Sequence, residues 1–140
     1  MAFTYSPPFT QTPKIASTVL TAANTARDGS GTIPTLLTVD ATNGGYVKRI
    51  TFISSPATAA AAAAKVFLVF VSTDGGTTWR FLRESAVATA TNSTTAVGII
   101  SIITFPDGLV LPAAAKVGVA MTVRGSAADD TTVTGEYSDY

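Results

Sequence analysis

Apolar runs of strand length, separated by turn residues, recur along this chain and leave it little to fold into except β-sheet. VFLVFVS at 66–72, VGIISIITF at 97–105 and VGVAMTV at 117–123 are rich in β-branched and aromatic residues and have strand length. Strands are expected at 15–22, 32–39, 46–54, 65–73, 78–88, 96–105, 116–124 and 131–137. Asp28-Gly29 and Gly31 mark a loop over 24–31, and Pro34 places its strand at an edge or a bulge. Asn43-Gly44-Gly45 reads as a tight turn, making 32–54 a hairpin, and Pro106-Asp107-Gly108 as a turn before the short run Leu109–Leu111. The alanine-rich stretch 54–64 reads as a connection with at most one helical turn, because so short a run is marginal as an isolated helix. The fold expected is all-β: an antiparallel, jelly-roll-like β-sandwich of about eight strands.

The strands differ in how they alternate. Val117, Val119, Met121 and Val123 alternate with Gly118, Ala120, Thr122 and Arg124, as in a strand with one buried face. Val66–Val71 and Ile99–Ile103 are apolar at nearly every position, which calls for burial on both sides. The second side is to be covered by the N-terminal arm, by a loop or by another subunit.

With 140 residues the chain makes one domain, read as 15–140, preceded by an extended arm over 1–14. The arm sets Phe3, Tyr5 and Phe9 among Pro7, Pro8 and Pro13, a composition that blocks helix. It is either a frayed end or a contact segment, in which case Phe3, Tyr5, Pro7, Pro8 and Phe9 are the interface candidates. Only 13% of residues are charged and the net charge is zero, so no long-range field favours nucleic acid or an anionic membrane. Either threonine replaces charge on a solvated surface, or much of the surface is buried against partners. No apolar stretch approaches a membrane span and the N-terminus lacks a secretory pattern, so synthesis in the cytoplasm is expected.

Reactive chemistry is sparse. Without histidine the usual general base of a nucleophilic triad is missing, and without cysteine so are disulfides and thiolate metal sites. The acids Asp28, Asp40, Asp74, Glu84, Asp107, Asp129, Asp130, Glu136 and Asp139 fall mostly in turns or near the C-terminus, where they cap backbone N–H groups. No phosphate-binding glycine motif or EF-hand spacing is found, so no catalytic residue, cofactor or metal is expected. Ser72-Thr73-Asp74-Gly75-Gly76-Thr77-Thr78-Trp79 resembles the Asp-box of sialidases and related propellers, where it is structural. Here it predicts a hairpin held by Asp74, Gly76 and Trp79.

A wider resemblance covers most of 20–124. Ala23-Asn24-Thr25-Ala26-Arg27-Asp28-Gly29-Ser30-Gly31, then Asn43-Gly44-Gly45-Tyr46-Val47-Lys48-Arg49-Ile50, resemble the loop and turn-and-strand of small tailed-phage virion proteins. Trp79-Arg80-Phe81-Leu82-Arg83-Glu84 and Phe105-Pro106-Asp107-Gly108-Leu109-Val110-Leu111-Pro112 are similar to two later segments of that group. The group looks like capsid cement (decoration) proteins, and size and β content are similar to the jelly-roll cement protein of a Bordetella-infecting short-tailed phage. The resemblance implies a non-enzymatic virion protein on the outer capsid surface, with the phage major capsid protein as partner and a homodimer as the unit bridging capsomers. A carbohydrate- or receptor-binding module of a head fibre is the alternative, with Tyr46, Trp79, Tyr137 and Tyr140 as a stacking platform.

Overall fold

The computed structural model describes residues 12–54, 61–91, 93, 96–126 and 129–140. The strands are β1 (Thr12–Leu20), β2 (Thr35–Thr38), β3 (Gly45–Ser54), β4 (Ala61–Ala62), β5 (Lys65–Ser72), β6 (Arg80–Val87), β7 (Ala90–Thr91), β8 (Ile99–Leu111), β9 (Lys116–Met121) and β10 (Thr131–Asp139). One sheet runs β1-β10-β3-β8, the second β2-β9-β5-β6, and β4 and β7 form a small separate ribbon. All pairings are antiparallel. Leaving the ribbon aside, every connection between successive strands crosses from one sheet to the other, except the β5–β6 hairpin. That order is an eight-stranded jelly roll.

Side chains from the two inner faces build the main core. Ile50, Phe52 and Val133 from one sheet meet Phe67, Val69, Val117 and Val119 from the other, all fully buried. Phe52 and Phe67 stack across the sandwich with ring centroids 4.5 Å apart. The β6/β8 flank is closed by side chains. Arg83 Nη1 donates to the Thr104 carbonyl at 3.0 Å, the Ser85 and Ser101 hydroxyls bond at 2.8 Å, and the Arg83 guanidinium lies over the Phe105 ring.

The double burial expected for 66–71 is observed, and a loop supplies the second side. Leu68 and Phe70, with Ala120 of β9, pack against Val66, Ile33 and Trp79 in a second, smaller core outside the β2-β9-β5-β6 sheet. The segment 21–34 lies over it, tied down by Asn24 N–H to the Met121 carbonyl at 2.8 Å and Val119 N–H to the Pro34 carbonyl at 3.1 Å. Asn24 organises this cover internally, donating to the Ser30 and Thr32 carbonyls, each at 3.0 Å. Gly29 is required there: its φ is +86°, and a Cβ would stand 2.0 Å from the Trp79 carbonyl oxygen.

Four expectations need correction. Ile99–Ile103 is not buried on both sides: Ile99, Ser101 and Ile103 point inward, whereas Ile100 and Ile102 are 54% and 52% exposed. The segment 32–54 is not a hairpin, since β2 pairs with β9 and β3 with β10 and β8. The Asn43-Gly44-Gly45 turn therefore rounds a corner between sheets, with Asp40 Oδ1 accepting from Thr42 N–H and Asn43 N–H. The two runs at 96–105 and 109–111 form the single strand β8, whose pairing to β3 jumps from Thr104 to Leu109 across the Pro106-Gly108 excursion. Lastly, β1 begins at Thr12, so residues 12–14 of the segment read as arm are strand. Pro13 is tolerated there because an outermost strand needs no N–H on its open side.

Candidate functional site

The outer face of the β1-β10-β3-β8 sheet is where surface and sequence are most at odds. The strand registers align its outward residues in rows across all four strands. One row is Val19, Thr132, Ile53 and Ile100; the next is Ser17, Thr134, Thr51 and Ile102. A third holds Ile15, Glu136, Arg49 and Thr104, and a fourth Pro13, Ser138, Tyr46 and Val110. Ile15, Val19, Ile53, Ile100, Ile102 and Val110 make up six of the nine exposed large hydrophobics among the described residues. Only Phe81, Val97 and Val123 lie elsewhere, so the exposed apolar surface is concentrated rather than scattered.

The strands give the face its shape. β-Branched residues are favoured here by strand propensity, and threonine supplies the same shape with a hydroxyl. The first two rows carry no charge at all. In the third, Arg49 Nη2 and Glu136 Oε1 pair at 2.6 Å, and that bond holds the Glu136 carboxyl below its ordinary value and the Arg49 guanidinium above. Four strands about 4.8 Å apart and rows about 6.8 Å apart make a plateau of the order of 20 Å by 20 Å.

One end of the plateau dips into a groove. β3 carries an extra residue, Lys48, where its pairing shifts against both β10 and β8. The bulge leaves both Lys48 and Arg49 exposed between the buried Val47 and Ile50. Pro13, Ile15, Tyr46, Lys48, Glu136 and Tyr137 line most of the resulting cavity of about 430 Å³. Lys14 at its edge is paired with Asp139, which raises the Lys14 ammonium above its ordinary value. Among the described residues Lys48 has no ion-pair partner.

The residues singled out from sequence are placed as follows. Phe3, Tyr5, Pro7, Pro8 and Phe9 lie outside the described residues. Asp74, Gly76 and Trp79 sit in the β5–β6 connection. Asp74 Oδ1 accepts from the Ser72 hydroxyl at 2.6 Å and from Thr77 and Thr78 N–H at 3.1 and 2.9 Å, and these bonds drive its carboxyl far below the ordinary range. Gly76 N–H donates to Ser72 Oγ at 2.9 Å, and Trp79 packs into the second core. Of the proposed stacking platform, Tyr46 and Tyr137 share the groove and Tyr140 lies 6.3 Å from Tyr46, centroid to centroid. Trp79 packs against the other sheet, in the second core.

Two features escaped sequence reasoning. The plateau had a signal: alternate apolar and hydroxyl positions at 15–19, 51–53, 100–102 and 132–134, which only the register assembles into one surface. The other is a buried ion pair. Lys65 Nζ and Asp129 Oδ1 meet at 2.7 Å with both side chains fully buried. Asp129 also accepts from Ser54 Oγ at 2.5 Å, Gly125 N–H at 3.0 Å and Ala63 N–H at 3.2 Å. Burial opposes the Asp129 charge, but these bonds outweigh it and hold the carboxyl below its ordinary value. The pair ties β5, the end of β3 and the β9–β10 connection together, a structural knot rather than a reactive centre. Among the described residues no three acidic, histidine or cysteine side chains gather as a metal site.

No family model and no curated protein matches the chain. Solved structures match it weakly. A chain of the T13 infectious bursal disease virus (IBDV) particle aligns with a TM-score of 0.39 and 16% identity, covering 100% of this chain and 35% of that one. Structures of the Gt and Gx strains of the virus each give a TM-score of 0.35, at 19% and 15% identity, covering 99% of this chain. This chain thus spans about a third of the length of these viral neighbours.

Proposed function

We propose that this is a non-enzymatic structural virion protein that binds the outer surface of a phage capsid and stabilises it by bridging neighbouring major capsid protein subunits, as a homodimer. The observation that carries the reading is the exposed apolar plateau, with Val19, Ile53, Ile100 and Ile102 in its two uncharged rows and Ile15 beside them. Its extent, of the order of 400 Å², is about half the ~800 Å² per partner of a stable pairwise complex. A single contact of that size is weak, but repeated over a symmetric shell and linked through a dimer it gains avidity. The low charge fits the same role, because a surface meant to be covered needs few solvated groups.

The reading is tested with capsids of the encoding phage assembled without this protein. Added protein should co-sediment to saturation at a fixed multiple of the capsid subunit and raise the temperature at which shells rupture. Binding at only a few copies per shell, or none, would overturn it in favour of a head-fibre module that binds a sugar or receptor. That second reading draws on the grouping of Tyr46, Tyr137 and Tyr140 at one end of the sheet.

A further inference from the structure

The groove beside the plateau can be read further, on the premise that the plateau docks to a capsid. It is continuous with that face, since Pro13, Ile15, Tyr46 and Glu136 belong to the plateau's own rows. A partner lying on the plateau therefore covers the groove as well. Its volume of about 430 Å³ falls within the range of ligand cavities.

Among the described residues at the groove, three cations (Lys14, Lys48 and Arg49) face two carboxylates. Asp139 pairs with Lys14, and Glu136 is bonded to Arg49 and only feels the charge of Lys48, which leaves one positive charge in excess at the Lys48 ammonium. An occupant made only of apolar groups would strip water from that ammonium without replacing it, which is unfavourable. A complementary occupant brings a carboxylate. β1 is the outermost strand of its sheet and lines the groove with Pro13, Lys14 and Ile15, so an extended backbone can run alongside it. Oligosaccharides fit the adjoining surface less well, because the Val19–Ile100 and Ser17–Ile102 rows carry hydroxyls but no aromatic ring, amide or charged side chain on which a sugar stacks or is gripped.

We propose that the groove receives an extended segment of the capsid subunit bearing an acidic side chain, with Lys48 as the partner of its carboxylate and Tyr46 and Tyr137 as its walls. The pairing gives orientation to a plateau whose uncharged rows cannot set one alone.

The test measures binding of full-length variants to shells lacking the protein, with melts followed at Trp79 to verify folding. Lys48→Glu should weaken binding at least tenfold, Lys48→Arg should bind within about threefold of wild type, and Ile102→Lys should abolish binding. If Lys48→Glu binds like wild type while Ile102→Lys does not, the groove assignment fails and the docking face stands. If both bind like wild type, the docking face fails with it. Backbone amide shifts at Tyr46, Lys48 and Glu136 on titrating free protein with galacturonic acid oligomers would overturn the peptide in favour of an acidic sugar.

Discussion

Lys65→Met isolates the buried ion pair. In the wild type both partners are fully buried, and the Asp129 carboxylate takes four donors: Lys65 Nζ, Ser54 Oγ, Ala63 N–H and Gly125 N–H. The methionine keeps most of the stem volume and removes only the cation. Three donors remain, so the carboxylate stays hydrogen-bonded but loses its counter-charge in a dry site. Breaking a buried pair from one side costs about 3–5 kcal/mol, and the surviving bonds place the expected loss near 3 kcal/mol. Asp129→Leu should be worse, because it strands a buried ammonium and leaves the Ser54 hydroxyl and two backbone N–H groups without an acceptor, at about 1–3 kcal/mol each. Against a domain stability of about 5–15 kcal/mol, the first variant folds with a lowered midpoint and the second is at the edge of folding. Urea unfolding read by the single tryptophan and by far-UV circular dichroism gives both numbers, provided the slopes agree with wild type. A Lys65→Met loss below 1 kcal/mol, or a larger loss than for Asp129→Leu, would refute the reasoning.

Three further outcomes follow from packing and titration. Gly118→Ala should destabilise by about 1–3 kcal/mol in urea melts, since the new Cβ would stand 2.5 Å from Ile33 Cγ2 and 2.8 Å from Trp79 Cζ3. Phe52→Ala removes half of the stacked pair with Phe67 and should cost about 3–5 kcal/mol by the same assay. The Asp74 carboxyl is depressed in the folded state, so its contribution is present above the unfolded value near pH 3.9 and is lost as pH falls through the folded value. Asp74→Asn should therefore lower the melting temperature at neutral pH and narrow the gap to wild type in strong acid; a gap that does not change with pH would contradict this.

The sequence was legible where local chemistry and period agree. Alternation at 117–123 marked one buried face, and the Asp74–Trp79 motif located the β5–β6 hairpin, because both depend on neighbours along the chain. The corner at Asn43-Gly44-Gly45 was misread because the same turn chemistry serves a hairpin within a sheet and a bend between sheets. β8 was split because Pro106-Asp107-Gly108 carries turn signals whether it ends a strand or bulges from one. Lys65 beside an apolar run and Asp129 in an acidic loop each look solvated, and their union is a tertiary event between residues 64 positions apart in the chain. The plateau depends on register, which a list of strands does not contain: Ile100 and Ile102 look like core until Ser101 is seen to face inward. The second core was anticipated as a need for cover, and segment 21–34 supplies it.

Saturation binding of Ile100→Lys/Ile102→Lys protein to capsids assembled without the native chain puts the central claim to the most direct test. Both side chains are more than half exposed on the outer face, so the variant should melt within about 1 kcal/mol of wild type, as surface substitutions do. The variant should fold correctly but no longer sediment with shells, where wild type saturates at a fixed multiple of the capsid subunit. Undiminished stoichiometric binding by the variant would contradict it and move the contact off the β1-β10-β3-β8 face.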